Sequence, residues 1–248
     1  MFKLIKYELR GNFLTILGIC ITVTIANILL FTRKSAWGLD LTSNLSVFLS
    51  IAAITIIFVS SLNLMSKYLH TDAGYLLFTL PQSGSKIILS KLLTALIQIT
   101  LVIIVTVLGI CLTSITALDF KFLSYIKFSG VVYALVLYIW GNIYFLTFIY
   151  FCMVMGKVAL RNKRLGKIGS FILFIVLALG LAWLESKLSG IFPQTINISY
   201  SSFFNNVSWQ NSHISFIPIN ISKAVFDIFT FVALFKATAY MLDNKLDL

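Results

Sequence analysis

Polar side chains stand in this chain where polar chemistry is costly. Asn27, Gln98, Asn142 and Asp227 each lie within a long apolar stretch, and Asn63 sits in another. An amide in such a place either bonds a neighbouring helix or lines a path for a polar solute, and bonding between helices is the commoner use. A carboxylate there points more strongly to function. Lys223 precedes Asp227 by four residues, so the two share a helix face and are expected to pair. Asn27, Gln98, Asn142 and Asp227 are the candidates for a substrate path.

Other reactive patterns are weak. Ser83-Gly84-Ser85-Lys86 fits the S-x-x-K acyltransferase pattern, but no companion motif supports it, and a helix cap is the better reading. Gly166-Lys167-Ile168 fails the phosphate-loop pattern at its hydroxyl position, so the chain carries no nucleotide motif of its own. Cys20, Cys111 and Cys152 all fall in apolar runs without close spacing and read as small buried hydrophobes. His70 and His213 are expected on opposite sides of a membrane. No catalytic residue, metal set or cofactor is assigned to this chain, and it is not expected to be an enzyme by itself.

The stretches that hold these residues define the fold class. Phe13–Phe31, Leu45–Met65, Leu92–Leu118, Phe128–Gly156 and Ile168–Leu184 are free of charge, and Ile217–Met241 carries only Lys223, Asp227 and Lys236. A bilayer core about 30 Å thick needs roughly 20 helical residues. In lipid a backbone must satisfy its own hydrogen bonds, so these runs are helices. Composition agrees: 59% of the 248 residues are hydrophobic and only 11% are charged. The expected fold is all-α, a polytopic membrane protein with six transmembrane helices forming one transmembrane domain over residues 1–248. Pro218 is expected in the first turn of the last helix, where a missing amide is tolerated.

The net charge is +11, and the distribution of its basic residues along the chain sets the expected orientation. With the N-terminus in the cytoplasm, only Arg33, Lys34, Lys121, Lys127, Lys187 and Lys223 of the nineteen basic residues fall outside. That asymmetry matches positive-inside retention and places both termini in the cytoplasm. The basic excess suits anionic lipid headgroups, and with no soluble module to carry it a nucleic-acid role is excluded. Residues 1–12 place Lys3, Lys6, Tyr7, Glu8 and Arg10 around an apolar face of Phe2, Ile5 and Leu9, the pattern of a short interfacial helix. Residues 185–216 form a long outer segment too apolar for a free linker, expected to pack on the membrane surface or dip into protein-lined space.

The loop over residues 66–86 is the most specific motif. Its apolar Tyr75, Leu76, Leu77, Phe78 and Leu80 need a partner or the membrane surface to cover them. Leu80-Pro81 ends its first part, because a residue before proline avoids helical geometry. An acidic residue, then Gly-Tyr-Leu-Leu-Phe-Thr-Leu-Pro at positions 74–81, a serine-rich turn and Ser-Lys-Leu-Leu at 90–93 resembles the permease subunits of type-2 ABC exporters. Lys-Leu-Ile-Lys-Tyr-Glu-Leu-Arg at 3–10, the six spans and the long outer segment extend the resemblance in layout, whereas the motif itself covers only about forty residues.

That resemblance implies a cytoplasmic coupling helix carrying Lys67, His70, Asp72, Gly74, Tyr75, Leu76, Leu77, Phe78, Leu80 and Pro81, which docks on a separate ATP-binding cassette ATPase. ATP and Mg would sit on that partner. A second permease, identical or related, would complete the transporter in a bacterial-type plasma membrane. The implied cargo is amphipathic or membrane-partitioned: a peptide, an antimicrobial or a lipid-like molecule. The alternatives are a secondary transporter not driven by ATP and a membrane assembly subunit that transports nothing.

Overall fold

The computed structural model describes residues 2–70, 83–114, 127–159, 163–199 and 216–244. The described residues form seven helices and one β-hairpin: α1 (Phe2–Thr32), α2 (Lys34–Trp37), α3 (Leu39–His70), α4 (Gly84–Ser114), α5 (Phe128–Ala159), α6 (Lys163–Ile191), β1 (Thr195–Ser199), β2 (Phe216–Asn220) and α7 (Ile221–Asn244). All but α2 are long and apolar enough to cross a membrane. The chain is a multi-pass, predominantly helical membrane protein.

The helices outrun the apolar segments that predict them. The basic, amphipathic residues 2–12 are helical and continue without a break into the first span, giving one helix of 31 residues. At 1.5 Å per residue it is about 46 Å long, more than the hydrocarbon core needs, so its first turns extend past the apolar layer. A short turn follows, in which Gly38 adopts φ +79 between α2 and α3. Only glycine takes that conformation freely. Thr42 then fastens the start of α3 by donating its hydroxyl to the Gly38 carbonyl at 3.0 Å.

The chain divides into two compact units. The first holds Met1–Tyr68 and Leu89–Phe122, and so α1, α2, nearly all of α3 and most of α4. Its outward positions are apolar, including Leu14, Ile25, Phe48, Ile56 and Leu108, whereas its buried positions include Asn27, Ser46, Ser50, Ser61, Thr94 and Gln98. That inside-out distribution is what lipid demands. The small hydroxyl residues add little bulk and return their protons to their own helices: Ser50 to the Ser46 carbonyl, Ser61 to Ile57 and Thr94 to Ser90, all at 2.8–2.9 Å.

The second unit holds Leu69–Ile88 and Leu123–Leu248. Its core is aromatic and apolar. Phe148, Phe151 and Cys152 of α5 pack against Phe174, Leu177 and Leu181 of α6 and Leu234, Ala237 and Met241 of α7. The Phe148 and Phe174 rings lie 5.3 Å apart, and Trp140 lies 5.5 Å from Phe231. Such aromatic contacts add to burial by area.

One expectation about the last span needs correction here. Pro218 is not in the first helical turn. It lies in β2, opposite Asn197 in an antiparallel pair of strands, and α7 begins three residues later. Proline has no amide to give to a ladder, which a two-stranded edge tolerates. Asn220 caps α7 instead: its Oδ1 accepts from the Ser222 amide at 2.9 Å and the Lys223 amide at 3.3 Å. The paired strands give regular structure to residues 195–199 and 216–220, between α6 and α7.

Candidate functional site

The polar groups of the first unit gather at two levels. At one level Glu8 of α1 and Lys91 of α4 form an ion pair at 2.6 Å, with side chains only 12% and 6% exposed. The Lys91 ammonium also lies 5.3 Å from the centre of the Tyr68 ring on α3. A desolvated cation over an aromatic face is favourable by about 2 kcal/mol. Three helices therefore meet on one charge. Tyr68 stands three residues before position 71, and Lys91 lies two turns into α4.

At the other level Asn27 is buried, accepts from the Ser46 hydroxyl at 2.6 Å, and donates its amide to the Val23 carbonyl at 2.9 Å. Gly109 of α4 faces it, and a Cβ there would overlap the Asn27 amide. Asn27 thus ties α1 to α3 and requires glycine on α4. Gln98 is fully buried, and among the described residues neither its Oε1 nor its Nε2 has a hydrogen-bond partner. It shares the buried face of α4 with Lys91, Thr94 and Val102.

In the second unit Asn142 is half-buried and donates to the Tyr138 carbonyl of its own helix at 2.8 Å. Lys223 does not take Asp227 as its ion-pair partner. Glu185 of α6 reaches it at 2.6 Å, because α6 continues as far as Ile191 and carries Glu185 alongside the start of α7. Two turns deeper, Tyr144 of α5 and Thr230 of α7 share a hydrogen bond at 3.3 Å. The first amide of α4, on Gly84, donates to the Asp243 carboxylate of α7 at 2.6 Å.

Of the sequence candidates, Lys3, Lys6, Tyr7 and Arg10 are exposed along the first turns of α1, and Glu8 alone turns inward. Lys67 is exposed near the end of α3, and His70 is its last residue. Asp72, Gly74, Tyr75, Leu76, Leu77, Phe78, Leu80 and Pro81 lie outside the described residues. Asn27 and Gln98 share the first unit at different levels, whereas Asn142 and Asp227 belong to the second. Among the described residues no three His, Cys, Asp or Glu side chains gather to hold a metal.

Sequence reasoning missed Tyr68, Gly84, Lys91, Gly109, Glu185 and Asp243. Lys91 carried a usable signal, since a lysine next to a long apolar run needs an acid if the helix continues through it. Nothing in the sequence singles out Gly109 from the other glycines.

No family model, curated protein or solved structure matches the chain.

Proposed function

We propose that this chain is the membrane-spanning subunit of an ATP-driven exporter, working with a separate ATP-binding cassette ATPase and a second permease. The observation that carries this reading is the combination of six membrane-length helices with an apolar loop between α3 and α4 that the chain has no soluble domain to cover. The ATPase would dock on that loop, through Tyr75, Leu77 and Phe78, and hold the ATP and Mg. Both termini would face the cytoplasm of a bacterial-type plasma membrane. Anchoring of both loop ends supports the reading: Tyr68 and Lys91 meet near one end, and Gly84 is held at the other. A force applied to such a loop is delivered to helices rather than lost in slack chain.

The polar interior of the first unit, with Asn27 and Gln98, would meet the polar groups of an amphipathic cargo. A lipid-like or peptide molecule suits walls that are otherwise apolar.

A proton-driven carrier is the second reading, favoured by the buried carboxylate of Glu8. Against it, Glu8 lies in the first turns of α1, away from the membrane midplane, and is ion-paired with Lys91 at 2.6 Å. Purification of the tagged chain from its native membrane in mild detergent tests the choice. A vanadate-sensitive ATPase should travel with it in stoichiometric amount. A pure chain without ATPase activity contradicts the exporter reading.

A further inference from the structure

The first amides of a helix have no partner within it. At the start of α4 the Gly84 amide is taken by Asp243 Oδ1 at 2.6 Å, across 159 residues of sequence. A charged acceptor makes this bond stronger than a neutral one, and the carboxylate also complements the positive end of α4. Asp243 itself sits in the last turn of α7, where an acid is unfavourable for its own helix. Its placement therefore serves α4.

Packing closes the same joint. A Cβ on Gly84 would lie 2.8 Å from the Ala239 carbonyl oxygen and 3.0 Å from Leu242 Cβ. Thr238, Ala239 and Leu242 are buried on α7, as are Ile87 and Ile88 on α4. The end of the last span and the start of α4 are thus in backbone contact, and only glycine fits. The segment Leu69–Ile88, which contains Gly84, belongs to the second unit with α5, α6 and α7, although most of α4 belongs to the first.

We propose that Asp243 is a positioning residue that links the ATPase-docking loop to the last span, so that movement of the loop is delivered to α7. This rests on the exporter reading. The loop ends at Gly84, Gly84 is fastened to Asp243, and α7 runs unbroken from Asn244 back to Ile221. A displacement at one end of a rigid helix is felt at the other, and at that far end Ser222 and Lys223 meet the cap at Asn220.

The test uses the full chain with its partner ATPase in lipid nanodiscs, in a background where Cys20, Cys111 and Cys152 are replaced. A single cysteine at the exposed Ala224 reports on the first turn of α7 through its labelling rate with a membrane-impermeant maleimide. Rates are compared without nucleotide and after trapping with Mg, ATP and vanadate. Trapping should change the rate in the otherwise unaltered chain and in Asp243→Asn, which keeps an acceptor oxygen for the Gly84 amide. The change should be lost in Asp243→Ala while the ATPase stays bound. Gly84→Ala breaks the joint from the α4 side and should give the same loss. A persisting response in Asp243→Ala or Gly84→Ala overturns the linkage. So does an unresponsive α7 in the unaltered complex, or loss of the response in Asp243→Asn. If no ATPase accompanies the unaltered chain, the exporter reading has failed, and the linkage falls with it.

Discussion

Glu8 and Lys91 meet at 2.6 Å with both side chains nearly removed from solvent, and this pair joins the N-terminal turns of α1 to α4. The amphipathic start of the chain is therefore fastened through its single acid. Breaking a buried pair by removing one partner strands the other charge and costs about 3–5 kcal/mol. Glu8→Ala or Lys91→Ala should lower the thermal stability of the detergent-solubilised protein accordingly. Glu8→Leu combined with Lys91→Met should recover most of the loss, because no charge is then left buried. Single variants as stable as the parent would show that the pair does not fasten α1.

Asn27 and Gly109 make a second, separable prediction. Gly109→Ala forces a methyl group against the Asn27 amide, and overpacking of this kind costs about 1–3 kcal/mol. Asn27→Ala loses the bond to Ser46, worth about 0.6 kcal/mol on average between membrane helices. The double variant should be more stable than Gly109→Ala alone, since the clash disappears with the amide. A double-mutant cycle by thermal unfolding measures this coupling, and strict additivity would contradict the packing.

These two sites show what the sequence could reveal. The spans were legible because charge-free apolar runs of that length have one solution in lipid. Asn27 and Gln98 were legible as buried polar groups for the same reason. Helix ends were not, because amphipathic residues such as Lys3–Arg10 and Gly84–Lys91 carry helices beyond the apolar layer, where hydropathy no longer marks them. Partners were harder still. Lys223 is equally well spaced for Asp227 on its own helix, and only the packing of α6 beside α7 selects Glu185. The clamp between Gly84 and Asp243 joins residues too distant in sequence for any local pattern to show.

The charge asymmetry is the basis for proposing that both termini face the cytoplasm. In a chain lacking native cysteines, Gln194→Cys should label from outside intact cells with an impermeant maleimide, and Ser83→Cys should label only after permeabilisation. Labelling of Ser83→Cys in intact cells would reverse the orientation.

The proposed docking of an ATPase on residues 66–86 predicts a loss of partnership without a loss of folding. Leu77→Asp or Phe78→Asp should abolish co-purification of the ATPase or uncouple its hydrolysis from transport. Membrane insertion should be unchanged, because both residues fall outside the six long apolar runs of the sequence. Unchanged complex formation and transport in both variants would remove this loop from the coupling role.

The energy source is the most direct test of the exporter account. The chain is reconstituted into vesicles alone and with its ATPase, and movement of a fluorescent amphipathic peptide and of a fluorescent phospholipid is followed under Mg and ATP or under an imposed pH gradient. The account predicts movement only when ATPase and Mg-ATP are both present, with Glu8→Gln leaving the response to the pH gradient at zero. Movement driven by the pH gradient with the chain alone would contradict it and identify a secondary transporter.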